Sequence, residues 1–61
     1  MHPSITYDRI EKAILVDDYV GFCLSCGSEQ HGVEPDACHY ECASCEEPEV
    51  FGAEEILWEY F

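Results

Sequence analysis

Basic residues are nearly missing from this chain of 61: Arg9 and Lys12 stand alone, and no Lys or Arg follows them. Fourteen carboxylates leave a formal net charge of −12. All of them except Asp8 and Glu11 lie beyond Lys12, so a field of one sign covers most of the surface and repels other anions. Direct binding to DNA, RNA or an anionic membrane is thereby disfavoured, because such surfaces are met by a basic stripe. Long apolar runs are missing too. The longest aliphatic stretch, residues 13–16, is too short for a signal-peptide core or a membrane helix. With no export signal in view, the expected compartment is the cytoplasm, where thiols stay reduced and open to metal. No Gly-rich phosphate loop and no Ser/His/Asp or Cys/His arrangement is present, so the sequence predicts a protein that is not an enzyme.

What is present argues against disorder despite the charge. The chain is 48% hydrophobic and carries four Tyr, three Phe and one Trp, whereas disordered acidic segments are poor in aromatics. A chain this short buries only about 60% of its unfolded surface, so its core alone is marginal and a staple is expected. A structural metal serves that purpose, contributing an apparent ~10–16 kcal/mol near neutral pH because the site is absent from the unfolded chain.

The cysteines supply the candidate. Cys23-Leu24-Ser25-Cys26 and Cys42-Ala43-Ser44-Cys45 are two C-x-x-C knuckles separated by 15 residues, within the spacing of a zinc ribbon. Each tight turn aims two thiolates at one ion, and two turns close a tetrahedral Cys₄ site with no open position. The predicted ligands are therefore Cys23, Cys26, Cys42 and Cys45, and the predicted cofactor is a structural Zn²⁺. Iron or an iron–sulfur cluster uses the same four thiolates. Disulfides fit poorly, since five cysteines leave one over and nothing indicates an oxidising compartment. A thioredoxin-like redox pair needs a βαβ unit for which the chain is too short. Gly27 after Cys26 supports the first knuckle, because glycine takes the positive φ that turns N–H groups toward sulfur. The second knuckle has Glu46 at the matching place. Cys38 or His39 could replace Cys42 in a Cys₃His-type set, but Cys38 stands alone in the connecting loop and reads as a small half-buried residue or a free thiol. His2 and His31 belong to no motif and read as solvent-facing.

The expected fold is small α+β: a zinc ribbon of short antiparallel strands with an N-terminal helix and a short C-terminal helix. One domain spans residues 1–61, with its helix in 1–18, its ribbon in 19–51 and its second helix in 52–61. Tyr7, Ile10, Ala13 and Ile14 recur at helical spacing over residues 6–17, with Ser4 or Thr6 as cap. Tyr19-Val20-Gly21-Phe22 and Glu49-Val50-Phe51 have strand composition. Near the C-terminus, Ala53, Ile56, Leu57 and Tyr60 share a helical face, although Ile56, Trp58 and Tyr60 also alternate as in a strand. On a helix Trp58 falls off that face and is either a second core contact or an exposed anchor for a partner.

Residues 21–55 resemble small zinc-ribbon proteins of bacteria and their phages. The likeness is carried by the C-x-x-C-G knuckle at Cys23, the connector Gly32-Val33-Glu34-Pro35-Asp36-Ala37, the second C-x-x-C and the ending Val50-Phe51-Gly52-Ala53-Glu54-Glu55. It implies the ribbon fold. In size and charge the chain is also similar to acidic DNA-mimic inhibitors of phages and mobile elements, such as anti-restriction proteins, inhibitors of uracil-DNA glycosylase and some anti-CRISPR proteins. That similarity implies an inhibitor whose carboxylates occupy the basic groove of a nucleic-acid-binding protein. Glu34, Asp36, Glu41, Glu46, Glu47, Glu49, Glu54, Glu55 and Glu59, with Trp58, are the expected contact residues, and a monomer is the expected form. An adaptor binding through the apolar C-terminal tail is the alternative.

Overall fold

The computed structural model describes residues 1–16 and 19–61, in the order α1 (Tyr7–Val16), β1 (Val20–Cys23), β2 (Glu29–His31), β3 (Val50–Gly52) and α2 (Ala53–Tyr60). Thr6 caps α1, its Oγ1 accepting the Arg9 N–H at 3.3 Å, so one of the helix's orphan donors is satisfied. Ile10 is fully buried, and Ala13 and Ile14 pack beside it. Tyr7 is half exposed and meets Phe61 edge-on at 6.0 Å, which pairs the start of α1 with the end of α2 and sets the helices antiparallel. The final position expected for α1, Asp17, lies outside the described residues.

β1 is the central strand of a three-stranded antiparallel sheet of order β2-β1-β3. Phe22 lies opposite Glu29 on one side and Phe51 on the other. Two strand boundaries differ from the sequence expectation. Tyr19 has φ 52, which is incompatible with an extended strand, and its carbonyl instead accepts the Val33 N–H at 2.9 Å. Glu49 precedes β3, its carbonyl taken by the Leu24 N–H at 2.8 Å. β2 was invisible to periodicity because Glu29-Gln30-His31 contains no apolar residue. It forms because the first knuckle folds the chain back onto β1 as a hairpin turn.

Alternation along β1 and β3 sorts the core onto two faces, since successive strand residues point to opposite sides. Val20, Phe22 and Phe51 face the helices and join Ile5, Ile10, Ala53 and Ile56. Cys23 and Val50 face the other way and join Val33, Ala37 and Cys42. The cysteine cluster and the helices therefore lie on opposite faces of one small sheet.

The C-terminal segment is a helix and not a strand. Ala53 and Ile56 are buried and Leu57 packs against the core, while Tyr60 is half exposed at the helix end. Trp58 is 79% exposed, so it is not a core contact: a turn of about 100° per residue points it away from Ala53 and Ile56. Gly52 caps α2 without a side-chain bond. The connector fills that role, with Pro35 O accepting the Glu55 N–H and Ala37 O accepting the Gly52 N–H, each at 3.0 Å. A Cβ on Gly52 would run into the backbone carbonyls of Glu34 and Pro35. The Gly-Val-Glu-Pro-Asp-Ala and Gly-Ala-Glu-Glu segments are thus two halves of one docking.

Gly52→Ala is accordingly expected to lower stability by about 1–3 kcal/mol, because backbone atoms must shift to admit the methyl group. Urea unfolding of the metal-loaded variant, compared with wild type, measures the change.

Candidate metal centre

The two knuckles are built alike. In the first, Gly27 N–H donates to Cys23 O at 2.8 Å and Cys23 N–H to Ser28 O at 2.9 Å. In the second, Glu46 N–H donates to Cys42 O at 2.9 Å and Cys42 N–H to Glu47 O at 3.0 Å. The N–H groups of Cys26 and Cys45 point at the Sγ atoms of Cys23 and Cys42, at 3.5 and 3.4 Å. Such contacts offset thiolate charge. Gly27 has φ 80, and Glu46 reaches φ 66 at the matching position. The second knuckle thus keeps its turn geometry without glycine, at a cost on the order of 1–2 kcal/mol for the left-handed backbone. Environment explains the difference. A Cβ at Gly27 would collide with the Ser4 hydroxyl and with His2 Nδ1, whereas Glu46 is exposed.

These turns bring all four predicted ligands together. The Sγ atoms of Cys23, Cys26, Cys42 and Cys45 lie within 4.8 Å of one another, with Cys23–Cys45 at 3.6 Å and Cys26–Cys42 at 3.7 Å. A tetrahedral ion with metal–sulfur bonds of about 2.3 Å requires sulfur–sulfur edges of about 3.8 Å, so the donor set fits a metal. All five cysteines are free thiols, and these separations are far from the roughly 2.05 Å of a disulfide. Cys23 and Cys42 are buried, and Cys26 and Cys45 half-buried.

Ser28, which the spacing did not single out, organises the proton balance. Its hydroxyl lies 3.1 Å from Cys26 Sγ and 3.5 Å from Cys42 Sγ. In the metal-free chain that hydroxyl, aided by the Cys45 and Ser44 N–H groups, pulls the Cys42 thiol down to about 6, and it lowers Cys26 as well. Burial pushes Cys23 up. The Glu47 N–H favours the Cys45 thiolate, but burial and the neighbouring cysteine sulfurs outweigh it and raise Cys45 to about 12. Four thiolates at one point repel one another, so full ionisation needs a cation.

Further residues support the centre from outside. Gln30 on β2 clamps the second knuckle, accepting the Ala43 N–H at 3.0 Å and donating to Glu41 O at 3.3 Å. The N-terminal segment covers the first. His2 N–H donates to Leu24 O at 2.9 Å, and Arg9 Nη1 donates to Ser4 O at 2.9 Å and Gly27 O at 3.3 Å. His2 is half-buried against Gly27, contrary to its expected solvent-facing place, because the knuckle carbonyl anchors its backbone. Only the structure could reveal these supports, since all but the Arg9–Ser4 contact join residues distant in sequence. His31 is exposed at the end of β2.

Cys38 and His39 lie outside the cluster. The His39 ring stands edge-on to Phe51 at 4.9 Å, with Nδ1 3.1 Å from Pro48 O. Cys38 is exposed and not half-buried, since the connector turns it outward; desolvation and then the charges of Glu55, Asp36 and Glu59 push its thiol up. Glu34 accepts a hydrogen bond from the Tyr40 hydroxyl, which holds its carboxyl below the usual range. Among the predicted contact residues, Glu49 and Glu55 are half-buried, and Glu34, Asp36, Glu41, Glu46, Glu47, Glu54, Glu59 and Trp58 are exposed.

No family model, curated protein or solved structure matches the chain. What its own geometry defines is a small α+β protein with two helices, a three-stranded antiparallel sheet and four cysteines positioned to bind one metal ion, the arrangement of a zinc ribbon.

One metal per chain is expected by elemental analysis, retained in Cys38→Ser and lost in Cys42→Ser. Loading must expel at least the protons of Cys23 and Cys45, so apparent affinity should fall at least about 100-fold per pH unit below neutrality. The sign follows from the bound state: its thiolates lie far below their free values, so stabilisation is present at high pH and lost on acidification. Competition with a chromophoric chelator between pH 7 and pH 6 measures the slope.

Proposed function

We propose that the chain is a non-enzymatic zinc protein of the cytoplasm, whose rigid anionic surface occupies the basic nucleic-acid groove of a nuclease or effector complex, as in prokaryotic CRISPR or restriction defence. Zinc suits a reduced, closed tetrathiolate site and has no redox demand of its own. A closed Cys₄ site leaves no position for water or substrate, so the metal's part is structural.

The observation that carries the reading is where the charge lies. No charged side chain among the described residues is buried, and Arg9 is engaged with Glu29 at 3.8 Å and with backbone carbonyls. Most carboxylates of the described residues thus stand outward, on the second knuckle, the connector and α2, around the four-cysteine cluster. DNA presents one charge per roughly 1.7 Å of helix axis, so a competitor needs carboxylates held densely and without freedom to retreat. Steering toward a basic groove would accelerate association and make it sensitive to salt.

A second reading, an adaptor working through the C-terminal tail, draws support from Trp58, Tyr60 and Phe61, which are 79%, 48% and 51% exposed. Affinity would then depend on apolar contact and tolerate salt.

Immobilised protein presented with bacterial lysate distinguishes them. The proposal expects capture of nucleic-acid-binding proteins that added duplex DNA or raised salt displaces. Capture that survives both supports the adaptor, and tight binding of DNA by the purified chain contradicts the proposal outright.

A further inference from the structure

Trp58 is the one tryptophan of the chain and stands 79% exposed on the outer face of α2. Glu55 and Glu54 precede it by three and four residues, so both lie one turn toward the N-terminus on the same side. Helical side chains tilt in that direction, which lays the indole over the turn carrying the two carboxylates. The result is an aromatic face bordered by negative charge. Neither element alone marks a site, but together they are complementary to one chemical group, a cation with a flat or apolar body.

The chain contains its own example of that complementarity. Arg9 stands over the Phe22 ring, 4.7 Å from its centre, while its Nη2 lies 3.8 Å from Glu29 Oε1. There an aromatic ring and a carboxylate hold a guanidinium between them. α2 presents the same two components, and α2 itself contains no basic residue.

We propose that the outer face of α2 docks an arginine-bearing segment of a protein partner, with a guanidinium stacked on Trp58 and paired to Glu54 and Glu55. The proposal rests on the reading of the chain as a ligand of basic protein surfaces, and it names the contact that reading leaves open. Charge decides the class of occupant. Nucleic acid and anionic lipid are repelled, and a second copy brings another −12 with only Arg9 and Lys12 to offer. Arginine is preferred to lysine because its planar, weakly hydrated group both stacks and forms a bidentate pair with carboxylate. An exposed cation–π contact contributes modestly, and more once the partner excludes water.

Because Trp58 is unique, its emission reports directly on the contact. The test is titration of the metal-loaded full chain with hexa-arginine peptide at low salt, with hexa-lysine for comparison and labelled-peptide anisotropy for affinity. A saturable change in emission is expected, with hexa-arginine binding more tightly than hexa-lysine. Trp58→Ala, which removes no core contact, should weaken hexa-arginine about fivefold. The double variant Glu54→Gln/Glu55→Gln should weaken it more than Glu46→Gln/Glu47→Gln, which removes equal charge from the second knuckle. Unchanged emission at saturation, equal affinity for both peptides, no effect of Trp58→Ala, or equal losses in the two double variants would each overturn the docking face. Trp58-dependent binding that persists when lysate capture proves insensitive to DNA would sink the groove-occupying function and leave this contact standing. DNA-displaceable capture without Trp58-dependent peptide binding would do the reverse.

Discussion

Four sulfur atoms brought within 4.8 Å of one another are the constraint on which the rest of this structure depends. Two turns from distant parts of the chain must meet there, and what lies between them is shaped by the meeting. The first knuckle is also the hairpin turn that creates β2, a strand with no apolar residue to hold it in place. The second knuckle hangs from β2 through Gln30 and reaches the sheet through the Tyr40–Val50 bridge. Without a cation the four sulfurs do not ionise together, since Cys42 is pulled down to about 6 while Cys45 is raised to about 12. A metal ion supplies that cation. For a structural Zn²⁺ the contribution would be an apparent ~10–16 kcal/mol, as large as the whole net stability of a typical domain.

The helices contribute a different kind of stabilisation, on the other face of the sheet. Phe22, Ile10 and Ile56 are almost wholly removed from water, each gaining roughly 1.5–3 kcal/mol from burial. β1 couples the two halves because its alternate residues serve opposite sides, Phe22 under the helices and Cys23 in the cluster. Arg9 adds a second coupling, reaching from α1 to the carbonyl of Gly27. Metal binding and helix packing are therefore two supports of one thin sheet. The carboxylates are spread over the exterior of that assembly, which is what fixes their relative positions.

The sequence made some of this legible and hid the rest for identifiable reasons. The clustering of Cys23, Cys26, Cys42 and Cys45 could be read from C-x-x-C spacing because a short turn leaves two thiolates few directions to point. Both helices could be read from apolar periodicity, and the place of Trp58 two residues past Ile56, on the side away from the buried face, was visible as well. Its exposure was not, since solvent and a second layer of core produce the same helical position. β2 could not be read because its stability comes from pairing with β1 and from the knuckle that precedes it. Glu46 looked like a departure from the glycine pattern, yet its backbone takes the same left-handed turn, because surrounding hydrogen bonds outweigh its local preference. Ser28, Gln30 and the N-terminal cover act through contacts between distant segments and leave no local trace.

The central claim is that metal in the four-cysteine site is what holds this fold together. The most direct measurement is the dispersion of the amide NMR spectrum of the reduced chain, recorded metal-free with chelator and again after one equivalent of Zn²⁺. The account predicts a collapsed, poorly dispersed spectrum without metal and a single well-dispersed set of resonances at one equivalent, with no further change beyond it. A metal-free chain that already shows the dispersed native spectrum would contradict it.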